Sequence, residues 1–94
     1  MLSGKQKRYL RSLGVTTRAV VQIGKDGLSA NLVESVDLAL EAHELVKISV
    51  LKNCTENVKE MALDMAGMTN SEVVQIVGRM ILLYRKSKKR IIEL

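Results

Sequence analysis

Along this chain the spacing of apolar positions switches between helical and extended periods, and each switch marks an element. Placed ~100° apart, Leu2, Gln6, Tyr9, Leu10 and Leu13 share one arc, while Lys5, Lys7, Arg8 and Arg11 share the other. This predicts an amphipathic helix over residues 3–13, with Ser3 as N-cap and Gly14 just past its end. Ala19-Val20-Val21-Gln22-Ile23 is short, β-branched and closed by Gly24, the signature of a buried strand. Ser29 can cap a helix through about Ala42, with Leu32, Val36, Ala39 and Leu40 inward and Glu34, Asp37 and Glu41 facing solvent.

From Leu45 to Leu51 the period becomes two, with Val46, Ile48 and Val50 opposite Lys47 and Ser49, which predicts a second strand. Thr55 can cap a third helix carrying Val58, Met61, Ala62 and Met65 on one face, with Gly67 as its stop. Glu72 to Val77 and the apolar run Met80 to Tyr84 read as two strands joined by a Gly78-Arg79 turn. Arg85 to Arg90 follow as a basic tail. The predicted order is α-β-α-β-α-β-β: an α/β fold in one small domain, with a mixed four-stranded sheet and helices packed on it.

Composition narrows what such a domain can do. Phe and Trp are missing, so Tyr9 and Tyr84 are the only aromatic residues, and a wide stacking platform for bases cannot be assembled. In 94 residues the core must be aliphatic and tightly packed, because a chain this short buries only somewhat more than ~60% of its unfolded surface. A single Cys and the lack of a secretory or membrane-spanning apolar stretch lead us to expect a cytoplasmic protein without disulfides or a membrane partner.

The net charge of +5 is unevenly distributed. Residues 1–25 hold Lys5, Lys7, Arg8, Arg11, Arg18 and Lys25 and no acid. Residues 26–72 hold nine acids against Lys47, Lys52 and Lys59, and residues 73–94 hold six bases against Glu93. Basic ends around an acidic middle imply one surface that faces a polyanion, provided the two ends meet in space.

Catalytic chemistry is hard to build from these residues. His43 is the only imidazole and Cys54 the only thiol, too few for a nucleophilic triad or a four-ligand zinc site. His43 reads as a helix-terminal residue favoured by the dipole. Glu41 and Glu44 beside it read as surface carboxylates, and Met61, Met65 and Met68 as core filler. We expect no metal, cofactor, catalytic residue or small-molecule substrate.

The sharpest local signal is Ile23-Gly24-Lys25-Asp26-Gly27-Leu28. It lies where a strand gives way to a helix, so backbone N–H groups and the positive end of the helix dipole favour an anion there. Gly24 and Gly27 permit close backbone approach and Lys25 adds a mobile cation, whereas Asp26 must point away. Gln22 occupies the place of the first glycine of a dinucleotide fingerprint, and no G-K-[ST] follows. Taken alone, Asp26-Gly27 is equally a good turn.

Three stretches in order resemble one family: Lys5-Gln6-Lys7-Arg8-Tyr9-Leu10-Arg11; Val21 to Ser29 with Glu44-Leu45-Val46-Lys47-Ile48 downstream; and Gln75 to Arg85. Together they are similar to the chloroplast RNA splicing and ribosome maturation (CRM) domain in its stand-alone bacterial, YhbY-like form. The resemblance covers nearly the whole chain. It implies a fold like the C-terminal domain of translation initiation factor three with an added N-terminal helix, and RNA binding linked to assembly of the large ribosomal subunit. It also implies that Gly24, Lys25, Asp26 and Gly27 correspond to a G-x-x-G loop comparable with the backbone clamp of KH domains. The family often has a glycine pair before its third strand, where Asn70 and Ser71 stand here.

The expected function is therefore non-enzymatic binding of structured ribosomal RNA, or of a large-subunit precursor, mainly through phosphates. The expected contacts are Lys5, Lys7, Arg8 and Arg11, the Gly24–Gly27 loop, and Arg79 and Arg85 at the hairpin. Two alternatives are a DNA-coating protein of similar architecture and a protein-binding adaptor using the acidic helix faces. The sequence pattern argues against the adaptor because it shows no exposed apolar patch.

Overall fold

A computed structural model describes residues 2–94. Its elements are α1 (Gly4–Gly14), β1 (Ala19–Ile23), α2 (Ala30–His43), β2 (Leu45–Val50), α3 (Val58–Thr69), β3 (Glu72–Val77) and β4 (Met80–Tyr84). The strands form one mixed sheet in the order β1-β2-β4-β3, with β1 parallel to β2 and β4 antiparallel to both of its neighbours. The order and the mixed four-stranded sheet are those the sequence predicts.

Alternation along the strands sends two sets of side chains to two faces. On one face Val21, Ile23, Val46, Ile48, Val50, Ile81 and Leu83 pack with Val36 and Leu40 of α2 and with Met61, Ala62 and Met65 of α3. On the other, Leu10 of α1 packs on Leu45, Val74, Leu82 and Tyr84, with Leu2, Leu13 and Ile92 around them. The aliphatic composition thus supplies two clusters, one for each face. Tyr9 departs from its expected place on the apolar arc, because it sits at the margin of that arc and remains 49% exposed.

Local signals place most helix ends. Ser3 forms a capping box with Gln6, and the Ser29 hydroxyl accepts from the Leu32 N–H. The third helix differs from expectation at both ends. Asn57, not Thr55, is its N-cap, the side-chain carbonyl accepting from the Glu60 N–H at 3.0 Å. At the other end the helix runs through Gly67 and stops at Asn70, whose φ of 54° and ψ of 43° are left-handed. Gly67 faces open space and keeps a helical backbone, whereas Asn is the residue other than Gly that most readily adopts this conformation. Asn70 thereby makes this turn without glycine.

The acidic face of α2 is not simply solvated. Asp37 and Glu41 face Arg85, and Glu44, expected at the surface, has no exposed area at all. Leu38, Leu63 and Met68 project outward from α2 and α3, so the helical layer exposes more apolar surface than the sequence pattern suggests.

Candidate nucleic-acid interface

The cations of α1 are positioned by what lies beneath them. Leu10 and Leu13 seat the helix on the sheet, and the residue before its N-cap is anchored where the Leu2 N–H donates to Glu72 Oε1 at 3.2 Å. Lys5, Arg8 and Arg11 are therefore exposed, and Lys7 is half-buried. None of the four forms an ion pair among the described residues. The C-terminus of α1 rests on the sheet, since a Cβ on Gly14 would come within 2.6 Å of Leu82 Cδ2. Only glycine permits that approach without moving Leu82.

The Gly24–Gly27 loop leaves the opposite end of β1. The Leu51 N–H donates to the Ile23 carbonyl at 2.8 Å, extending the β1–β2 pairing to the mouth of the loop. The loop closes as a turn in which the Gly27 N–H donates to the Gly24 carbonyl at 3.0 Å. Gly27 has a φ of 66°, so the turn needs glycine at this position. Lys25 and Asp26 are exposed at the tip. The helix dipole is less directly available than the sequence suggests, because Leu28 and Ser29 intervene and Ser29 already satisfies one N–H of α2.

Residues 51–57 flank this loop, although no local signal in the sequence marks them as part of the site. Leu51 and Asn53 stand beside Gly24, and the Glu56 carboxylate lies directly against Gly27, a second acid besides Asp26 at this loop. Lys52 is exposed on the same segment. Arg79 holds it in place: Nε donates to the Val50 carbonyl at 3.0 Å, and Nη2 donates to the carbonyls of Leu51 at 2.7 Å and Cys54 at 2.9 Å.

Arg85 is likewise engaged inside the protein. Its Nη1 donates to Asp37 Oδ1 and to the Thr69 carbonyl at 2.8 Å, and Nη2 donates to the Asp37 carbonyl at 3.0 Å, with Glu41 Oε1 3.7 Å away. The side chain is only 18% exposed. It straps α2 to the last turn of α3, where a cation meets the carbonyl end of a helix dipole. Of the ten expected contacts, the structure thus leaves Lys5, Arg8, Arg11, Lys25 and Asp26 exposed and Lys7 and Gly24 half-buried, buries Gly27 against Glu56, and turns Arg79 and Arg85 toward backbone carbonyls.

The tail is also more ordered than a basic run suggests. The Ser87 and Ile92 N–H groups both donate to the Glu44 carboxylate, and the Arg85 N–H donates to the Glu44 carbonyl. Burial pushes the Glu44 carboxyl upward, but these backbone donors outweigh it and hold its pKa below the ordinary value. Nearby, burial first and then the charges of Glu44 and Glu72 raise the Tyr84 phenol. His43 is exposed at the end of α2, and Cys54 is buried against Met61. Among the described residues no group of three His, Cys, Asp or Glu side chains converges, and no helix is long and apolar enough to cross a membrane.

Comparison with known proteins places this arrangement. The family model described as the CRS1 / YhbY (CRM) domain matches residues 2–85. The chain belongs to the CRM domain family. It is 43% identical over 89 residues to the "Probable RNA-binding protein YqeI" of Bacillus subtilis, covering 95% of this chain and 93% of that one. It is 32% identical to an "RNA-binding protein" of Haemophilus influenzae, covering 99% and 94% of the two chains. The fold is shared with a solution structure from Staphylococcus aureus, "the hypothetical protein SAV1595 … a putative RNA binding protein", at a TM-score of 0.80 and 48% identity over 94% of this chain and 92% of that one. The Glu-Leu-Val-Lys stretch that carries part of the family resemblance has a physical reading here: Glu44 latches the C-terminal segment, while Lys47 points to the opposite face of the sheet from Val46 and Ile48.

Proposed function

We propose that this CRM domain is a non-enzymatic RNA-binding module that grips structured RNA through its phosphates. The observation that carries the reading is the outer face of α1, where Lys5, Arg8 and Arg11 are exposed in a segment without a single acid. Lys7 and the Gly24–Gly27 loop with Lys25 complete the surface, and phosphate contacts of this kind hold a polyanion without reading its sequence. Arg79 and Arg85 serve as supports, one for the segment beside the loop and one for the helical layer. The names of relatives over nearly the full chain length favour RNA over DNA as the partner. The family resemblance extends the reading to ribosomal RNA in cytoplasmic assembly of the large subunit.

A competition experiment tests the choice of nucleic acid. A labelled hairpin of large-subunit ribosomal RNA bound to the protein should be displaced by unlabelled hairpin and far less by duplex DNA of equal length at the same salt concentration. Equal or better displacement by DNA would favour the DNA-coating reading.

A further inference from the structure

The sheet face that carries α1 is only half covered. Strand register sets two successive rows across it. In the first, Lys47 and Gln75 flank Leu82, which is 3% exposed beneath the end of α1. In the second, two residues or about 7 Å further along the strands, Gln22 lies opposite Ser49, Ser49 opposite Met80 and Met80 opposite Val77. None of these four belongs to either hydrophobic cluster. Gln22 and Val77, on the two edge strands, are exposed, and Ser49 and Met80 are half-buried between them.

This second row lies between the two parts of the proposed phosphate grip. α1 begins beside Glu72 and ends over Leu82, on one side of it. The Gly24–Gly27 loop follows Gln22 after a single residue, on the other. Resting on the RNA-binding reading above, we propose that the row Gln22, Ser49, Met80 and Val77, with Lys47 and Gln75 behind it, seats an unpaired stretch of RNA. Its backbone is held by Lys25 and the loop on one side and by Lys47 and the end of α1 on the other.

The chemistry of the row selects this occupant. It contains no carboxylate and has a lysine at its rear, so it complements a polyanion. Asp26 and Glu56 stand at the loop, and Glu72 at the far end of β3. The Gln22 and Gln75 amides and the Ser49 hydroxyl each offer both donor and acceptor groups to base edges and ribose 2′-hydroxyls. Met80 and Val77 supply a small apolar surface for a base or ribose. These apolar atoms are interrupted by polar ones, so the row lacks the continuous apolar centre of a protein interface. Four strands span about 14 Å, a width on which other four-stranded sheets seat two or three bases. Without aromatic residues this seat works by hydrogen bonding rather than stacking.

The test uses the full chain and two labelled RNAs, a blunt hairpin and the same hairpin with a short single-stranded overhang, measured by fluorescence anisotropy. The overhang should tighten binding about tenfold, as two or three added hydrogen bonds would. The double variant Gln22→Ala/Gln75→Ala and the single variant Ser49→Glu should each lose that gain while keeping wild-type affinity for the blunt hairpin and a native unfolding midpoint. Arg8→Ala, by contrast, should weaken both RNAs equally. Equal binding of the two RNAs by the wild type, or a gain that survives both row variants, would overturn the proposal while leaving the phosphate grip standing. Failure of the wild type to bind either RNA would overturn the RNA-binding reading itself, and this proposal with it.

Discussion

The carboxylate of Glu44 accepts the backbone N–H of Ser87 at 2.7 Å, across 43 residues of sequence. Glu44 is completely buried, has a φ of 64°, and also accepts from the Ile92 N–H. A non-glycine residue in this backbone region is strained, and it persists because the contacts around it over-determine its position. One acid at the end of α2 thereby fastens the segment after β4 across the end of the sheet.

Glu44→Gln should therefore loosen that segment. Hydrogen bonds to a charged acceptor contribute about 1.5–3 kcal/mol, and the amide retains only part of this. The expected results are a lower urea midpoint and faster proteolysis within residues 86–94, with cleavage elsewhere unchanged. Equal protease resistance of the two proteins would remove Glu44 from this role.

The same latch makes stability depend on pH. Because the folded-state pKa of Glu44 lies below its unfolded value, its contribution is fully present above the ordinary carboxylate range. It is lost as pH falls through the folded pKa. Unfolding midpoints of wild type and Glu44→Gln should thus differ most near neutral pH and draw together progressively as pH falls below the ordinary carboxylate range and through the folded pKa of Glu44, below which both side chains are uncharged. A difference that stays constant down to pH 3 would contradict the charge-based latch.

Arg79 and Arg85 should behave as supports. Arg79→Lys cannot reproduce a fork that reaches three carbonyls, and Arg85→Lys cannot join Asp37 to Thr69. Each substitution is expected to lower stability by about 1–3 kcal/mol. For Arg85→Lys, RNA affinity measured well below the unfolding temperature should remain within about twofold, since its guanidinium already faces carbonyls and carboxylates; a tenfold loss with an unchanged midpoint would return Arg85 to the RNA surface.

Local patterns in the sequence carry the elements, their order, the basic face of α1 and the glycine loop. They do so because helical and strand periods, caps and turn residues act over a few positions. The misplaced ends of α3 arise from competition among local signals: Thr55 and Asn57 can both cap, and Gly67 and Asn70 can both stop a helix. What stays hidden is non-local. Glu44 looks like a surface acid until the chain returns at Ser87, and Arg79 looks like a free cation until the carbonyls of residues 50–54 are brought beside it. The open row of the sheet is hidden for the same reason, since only strand register aligns Gln22 with Ser49, Met80 and Val77.

The loop variants separate a phosphate clamp from a simple turn. Lys25→Ala should weaken RNA binding evenly across sequences, whereas Asp26→Asn and Glu56→Gln should leave it unchanged or tighten it by removing negative charge beside the phosphate. Gly27→Ala should destabilise the fold, because its φ is positive and the Glu56 carboxylate lies against it. Wild-type affinity for Lys25→Ala with a native midpoint would move the clamp away from this loop.

The central claim is that α1 and the loop bind RNA through phosphates, and salt dependence tests it most directly. Affinity for a structured ribosomal RNA fragment should be measured from low to moderate salt for the wild type and for the combined variant Lys5→Ala/Arg8→Ala/Arg11→Ala. Each phosphate contact contributes a log-log slope of about 0.7–0.9, so five contacts from Lys5, Lys7, Arg8, Arg11 and Lys25 predict a slope of roughly −4 for the wild type. Removing three contacts should reduce it to about −1.6. A wild-type slope near zero, or an identical slope in the triple variant, would contradict the account.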